Sequence, residues 1–173
     1  MYLERINFVA MKENQIHIHY NTYQWDELSQ CYKSLMDQSI AAQHNAYAPY
    51  SNFKVGAAIL LENGTIFTGN NQENSAYPSG LCAERVAIFA CSAQNPNLKI
   101  KVIAISANSE KVDINTVLAP CGSCRQSMYE YESKQNEAIK ILLKGVDNEV
   151  VEFLSVADLL PLVFQCDGLK KVR

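Results

Sequence analysis

Between Trp25 and His44 the positions Leu28, Tyr32, Leu35, Met36, Ser39 and Ile40 recur at three- and four-residue steps, the stripe of an amphipathic helix that ends before Pro49. The periodicity then changes. FKVGAAILL (53–61) and TIFTGN (65–70) are rich in β-branched and aromatic residues. Asn63-Gly64 lies between them, and Asn-Gly supplies the positive backbone angles of a tight primed turn, so the segment predicts a hairpin. After Pro78-Ser79-Gly80 the segment LCAERVAIFACSA is helical in composition, and KIKVIAISA (99–107) follows as a strand. A second helix-strand unit follows: CGSCRQSMYEYES after Pro120 predicts a helix and AIKILLKG (138–145) a strand. VVEFL (150–154) predicts a further strand and SVADLL a last helix. Near the start, the alternation in QIHIHYNTY leaves two readings, a short added strand over Ile16, His17, Ile18, His19 and Tyr20 or an extension that contributes little. The order α-β-β-α-β-α-β-β-α predicts an α/β protein, a mixed, mostly five-stranded sheet sandwiched between helices in three layers.

The chain has 173 residues, one domain's worth, with no internal repeat, linker or composition break. Residues 1–22 are read as an N-terminal extension and 23–173 as the domain. Apolar residues make up 48% and charged residues 19%, which excludes a disordered or low-complexity chain. The formal net charge is -3 and no dense basic run occurs, so no nucleic-acid partner is expected and a small molecule is favoured. The longest apolar run, VGAAILL, is far short of a membrane span, and MYLERINFVAMKENQ lacks the core of a secretory signal. The expected location is the cytoplasm. There the six cysteines (31, 82, 91, 121, 124 and 166) are candidates for metal binding or catalysis rather than a disulfide framework.

Three of these cysteines fall at the starts of two predicted helices. Cys121 and Cys124, in one first turn, direct two thiols toward a common point, and helix N-termini favour the thiolate form that Zn²⁺ binds tetrahedrally. With Cys82 the count is three protein ligands, which leaves a fourth position for water, as in a catalytic rather than a closed structural site. Cys82-Ala83-Glu84 followed by Pro120-Cys121-Gly-Ser-Cys124 is the all-cysteine form of the zinc-deaminase signature. Spacing alone does not place Glu84 beside the metal, because residues two apart on a regular helix face roughly opposite sides.

Four segments carry a resemblance: YAPYSNFKVGAAIL (47–60), GNNQENSAYPSGLCAERVAI (69–88), APCGSCRQ (119–126) and LLPLVF (159–164). Over roughly residues 25–170 the chain resembles the cytidine deaminases of the short, homotetrameric class. The resemblance implies the cytidine deaminase-like fold and one Zn²⁺ per chain held by Cys82, Cys121 and Cys124. It implies Glu84 as the proton shuttle, and hydrolytic deamination of cytidine and 2′-deoxycytidine in pyrimidine salvage. Arg85 is similar to the arginine that offsets the charge of the ligand sulfurs, and Gln126 to a residue with a comparable contact. Asn71 and Glu73 would bind the ribose hydroxyls and Phe53 would pack on the pyrimidine. Tyr77 and Phe164 resemble positions that reach into a neighbouring subunit's site. The departures are the longer N-terminus, a longer stretch between Glu84 and Pro120 whose polar loop EKVDINTV bears on the rim of the site, and Ser75 where alanine is usual, with Asn70 and Gln72 beside it. A deaminase of a modified or antibiotic nucleoside and a non-catalytic zinc-binding module are the alternatives. Cys31, Cys91, Cys166, His17, His19 and His44 stand outside every motif.

Overall fold

The computed structural model describes residues 11–111 and 113–165. Its strands are β1 (Tyr20–Gln24), β2 (Phe53–Leu61), β3 (Ile66–Asn70), β4 (Ile100–Ser109), β5 (Lys140–Lys144) and β6 (Glu149–Phe153), and its α-helices are α1 (Gln30–Ala42), α2 (Ala83–Gln94) and α3 (Gly122–Gln135). One sheet runs in the order β1-β6-β5-β4-β2-β3. Among the described strands only β4 and β5 pair in parallel; the other neighbours are antiparallel.

Alternate residues of the central strands point into two cores, which is why these strands read as nearly continuous apolar runs. On one face, Leu35 and Met36 of α1 are fully buried and pack with Ala58, Val102, Ala104, Leu142 and Val150. On the other, Ala57, Ile59, Ile103, Ile105, Ile141 and Leu143 lie beneath Ala83, Ala87 and Ile88 of α2 and Met128 of α3. Two glycines permit this close approach. A Cβ on Gly56 would lie 1.9 Å from the Ser39 carbonyl oxygen of α1, and one on Gly69 would lie 2.5 Å from the Ala87 nitrogen of α2. A side chain at either position would lift a helix off the sheet.

The predicted α/β sandwich is the observed architecture, with four local corrections. The sheet has six strands rather than five, because β1 adds to the β6 edge. That strand begins at Tyr20, so Ile16, His17, Ile18 and His19 lie outside it. At the β2–β3 hairpin only Gly64 has a positive φ (85°). Its N–H donates to the Leu61 carbonyl at 3.0 Å while Leu61 N–H donates to the Thr65 carbonyl at 2.9 Å, a three-residue bulged loop instead of a primed turn. The paired positive angles occur at Asp147 (φ 51°) and Asn148 (φ 63°), between β5 and β6. Finally, SVADLL forms only a 3-10 turn, Val156–Leu159, because Leu160 precedes Pro161 and such residues are disfavoured in helical geometry. Cys166 lies outside the described residues.

Candidate active site and metal centre

The N-termini of α2 and α3 converge above the second core. Cys82 is the N-cap of α2 (φ -72°, ψ 155°) and Cys121 the N-cap of α3 (φ -65°, ψ 163°), with Cys124 in the first turn of α3. Neither N-cap thiol is used to cap its helix. The three Sγ atoms lie within 4.8 Å of one another. Tetrahedral thiolates around zinc at about 2.3 Å stand about 3.8 Å apart, so the donor set fits this ion.

The thiols differ in their electrostatics. A hydrogen bond shared with Cys124, reinforced by Arg85 and Cys121, pushes the Cys82 thiol down to about 5. The same shared bond, burial and the Glu84 charge push the Cys124 thiol well up. Arg85 donates from Nη2 to the Cys82 sulfur at 3.9 Å, as expected of a cation that offsets thiolate charge, and its buried Nε has no hydrogen-bond partner.

Glu84 is 5% exposed. Burial raises its carboxyl pKa, and the neighbouring Cys82 charge raises it further against its own backbone N–H and the Cys124 thiol. The placement that spacing could not supply comes from the cap: Cys82 is extended, so the step from 82 to 84 is not a helical step and both side chains reach one cleft.

That cleft encloses about 940 Å³ and brings together Phe53, Asn71, Glu73, Cys82, Glu84 and Cys121. Asn71 also works structurally. It accepts from Val55 N–H at 2.8 Å and donates to the Phe53 carbonyl at 2.9 Å, fixing the entry of β2. Glu73 accepts from the N–H groups of Tyr50 at 3.0 Å and Ser51 at 3.3 Å and from the Ser51 hydroxyl, which chiefly holds its carboxyl below the usual range. Tyr77 and Phe164 are not brought to the cleft. They are 84% and 71% exposed, and Tyr77 borders a neighbouring groove with Asn71, Glu73 and Arg85. Gln126 donates to the Phe164 carbonyl at 3.1 Å rather than to a sulfur.

Sequence reasoning missed part of the wall. Asn108 and Ser109 from the end of β4, and Lys144 and Asp147 from β5 and its turn, also line the cleft. They are ordinary polar residues at strand ends, and only the topology assembles them. The polar loop before Pro120 does reach the rim, through Asp113 and Ile114. Arg125 was missed because it binds main-chain carbonyls, of Pro120 and Leu159, both at 2.7 Å, and no residue type marks such a partner in a sequence.

Residues 29–138 match the family model for the cytidine and deoxycytidylate deaminase zinc-binding region. A cytidine deaminase from Sporosarcina psychrophila is 38% identical over 137 residues, covering 79% of this chain and 93% of that protein. The crystal structure of cytidine deaminase from Burkholderia pseudomallei superposes with a TM-score of 0.64 at 36% identity, over 76% of this chain and 97% of that one. The corresponding structure from Mycobacterium tuberculosis gives a TM-score of 0.60 at 31% identity, over 78% and 98%. An α/β sandwich with three cysteine thiols at two helix N-termini thus defines a zinc deaminase. The chain belongs to the cytidine and deoxycytidylate deaminase family, and its cofactor is zinc, which the Cys82, Cys121 and Cys124 cluster can hold.

Proposed function

We propose that this chain catalyses the hydrolytic deamination of cytidine and 2′-deoxycytidine to uridine and 2′-deoxyuridine with release of ammonia. The observation that carries the reading is the buried Glu84 carboxyl, which shares a cleft large enough for a nucleoside with Cys82 and Cys121, two of the three clustered sulfurs. Zinc, when bound, supplies Lewis acidity that makes water a nucleophile near neutral pH. Glu84 would take one proton from the attacking water as its oxygen bonds C4 and give it to N3 of the base, then carry the second proton from the resulting hydroxyl to the amine as the C4–N bond breaks, a task for a carboxyl that is not a ligand and whose pKa burial raises. Arg85 offsets the negative charge of three thiolates. Phe53 packs on the pyrimidine, and Asn71 and Glu73, already held rigid by the β2 entry and the Tyr50–Ser51 turn, meet the ribose hydroxyls.

A nucleoside is favoured over a nucleotide because, among the described residues, the one cation of the cleft lining, Lys144, is accompanied by Asp113 and Asp147. The exposed aromatics Tyr77 and Phe164 support a homotetramer in which each completes a neighbour's site, with Gln126 holding the backbone that carries Phe164. A cytoplasmic role in pyrimidine salvage completes the reading. The free thiols of Cys31, Cys82, Cys91, Cys121 and Cys124 accord with a reducing compartment, and among the described residues no helix is long and apolar enough to cross a membrane.

Ultraviolet absorbance of the purified protein with cytidine, 2′-deoxycytidine, their monophosphates and cytosine, with zinc measured on the same sample, tests this. Rapid turnover of the two nucleosides with about one zinc per chain is expected. Zinc present with every substrate inert would overturn it in favour of a modified nucleoside or a binding role.

A further inference from the structure

The three sulfurs are not equally supported. Cys124 is fully buried, and Cys82 is half-buried and receives Arg85, but Cys121 is exposed, caps its helix with backbone alone and follows the loop that ends at Pro120. Packing does little to hold it. What fixes its approach is Arg125, one residue past Cys124. The guanidinium folds back so that Nε donates to the Pro120 carbonyl, orienting the peptide plane that enters Cys121, while Nη1 donates to the Leu159 carbonyl, both at 2.7 Å.

Leu159 belongs to a segment that α3 holds along its length. Glu132, 7% exposed, accepts from the Ser155 hydroxyl at 2.7 Å, Val156 N–H at 2.8 Å and Ala157 N–H at 3.3 Å. The chain then runs up the helix to Arg125 and turns back at Leu162, a non-glycine residue at φ 56°. It returns past Gln126, which donates to the Phe164 carbonyl at 3.1 Å, and Tyr129, whose hydroxyl donates to Gln165 Oε1 at 2.8 Å. The segment expected to be a last helix is therefore a strap on α3, and Arg125 is the contact it shares with the cysteine loop.

We propose that Arg125 is a positioning residue that couples the C-terminal strap to the zinc centre by locking the Pro120–Cys121 peptide. The inference rests on the zinc reading of the three cysteines. Through it, the strap stabilises the least supported ligand without touching the metal.

The test is the rate at which the zinc-loaded protein passes its metal to a colorimetric chelator, for the parent and for Arg125→Ala, Arg125→Lys and Tyr129→Phe. Loss of a residue that orients a metal ligand typically costs 10- to 100-fold in metal affinity, so Arg125→Ala is expected to release zinc about 10- to 100-fold faster. Arg125→Lys, a single-point donor that cannot span both carbonyls, should fall between them. Tyr129→Phe, which frees only the returning arm, should stay within about twofold of the parent. The cobalt-substituted Arg125→Ala protein should also show an altered thiolate-to-metal charge-transfer band, which a merely destabilised fold would not produce. A folded Arg125→Ala that releases zinc within twofold of the parent would overturn the proposal, as would equal acceleration by Tyr129→Phe. If Arg125→Ala does not fold, Arg125→Lys decides by the same criterion. A parent that holds no zinc would refute the zinc reading instead. Proteolysis within residues 159–165, expected to quicken in Arg125→Ala, would then judge the strap contact by itself.

Discussion

Two glutamates on opposite faces of the sheet are almost equally buried, Glu84 at 5% exposure and Glu152 at 3%, yet their carboxyls are shifted in opposite directions. Glu84, at the start of α2, has few donors, and burial wins: its pKa rises. Glu152, on β6, is surrounded by donors. Asn21 Nδ2 and the Tyr23 hydroxyl, both at 3.0 Å, donate to one oxygen and the Tyr32 hydroxyl at 2.9 Å to the other, with Lys140 Nζ at 3.3 Å. Burial pushes this carboxyl up, but the donors and the Lys140 charge outweigh it and hold it below the usual range. The satisfied carboxylate is a structural anchor that fastens β1 and α1 to β6. The undersatisfied one is suited to carry a proton. Burial by itself does not distinguish the two roles; donor count does.

The largest effects expected lie on the Glu84 face. Cys121→Ala should lose zinc and all turnover while keeping its circular dichroism, because the exposed Cys121 contributes little to either core. Metal analysis that finds stoichiometric zinc in this variant would show that the donor set is wrong. Next comes the same isosteric change at both carboxylates. Glu84→Gln should keep zinc and fold but lose turnover by about 10²- to 10⁴-fold. Glu152→Gln should keep turnover and lose about 1–3 kcal/mol of stability in urea, since the amide cannot accept from every donor that Glu152 accepts from. A Glu84→Gln enzyme within tenfold of the parent rate, or a Glu152→Gln enzyme that is stable but slow, would break the comparison.

The pH dependence of stability separates the two further. Glu152 has a lower pKa folded than unfolded, so its contribution is complete above the unfolded value, near 4.3, and is lost as pH falls through the lower folded value. The thermal midpoint of the parent should therefore drop more steeply below about pH 4 than that of Glu152→Gln. Parallel curves would mean that Glu152 gains nothing from its charge in the folded state.

The face that carries the chemistry was legible because its residue types are rare and its spacing specific. Cys82, Glu84, Cys121 and Cys124 form a signature, and the elements around them follow from periodicity and from Pro and Gly punctuation. What spacing left open was the direction of Glu84, since that depends on Cys82 standing outside the helix as its cap. The Glu152 corner was not legible at all. Asn21, Tyr23 and Tyr32 come from β1 and α1 and Lys140 and Glu152 from β5 and β6, more than a hundred residues away in the chain, and each alone is a common polar residue type. The same holds for Arg125, whose partners are carbonyls. β1 was half-glimpsed, as an alternation placed a few residues early. The alternation extends through Ile16 and Ile18, but pairing with β6 begins only at Tyr20, which packs its ring against Phe153 at 5.4 Å.

The smallest effect tests whether the two faces are independent. Tyr23→Phe removes one of the donors to Glu152 and keeps the ring, leaving Asn21, Tyr32 and Lys140 in place. The cost of one such hydrogen bond to a charged acceptor is about 1.5 kcal/mol, which should appear as a small fall in the thermal midpoint and faster amide exchange across Tyr20–Gln24, where β6 is the one neighbour of β1 among the described residues. Turnover should be unchanged, because the sheet and two packed cores lie between this corner and the cysteines. A loss of turnover larger than the loss of stability explains would instead mean that the anchoring of β1 reaches the cleft, through α1, whose Ile40 lines it.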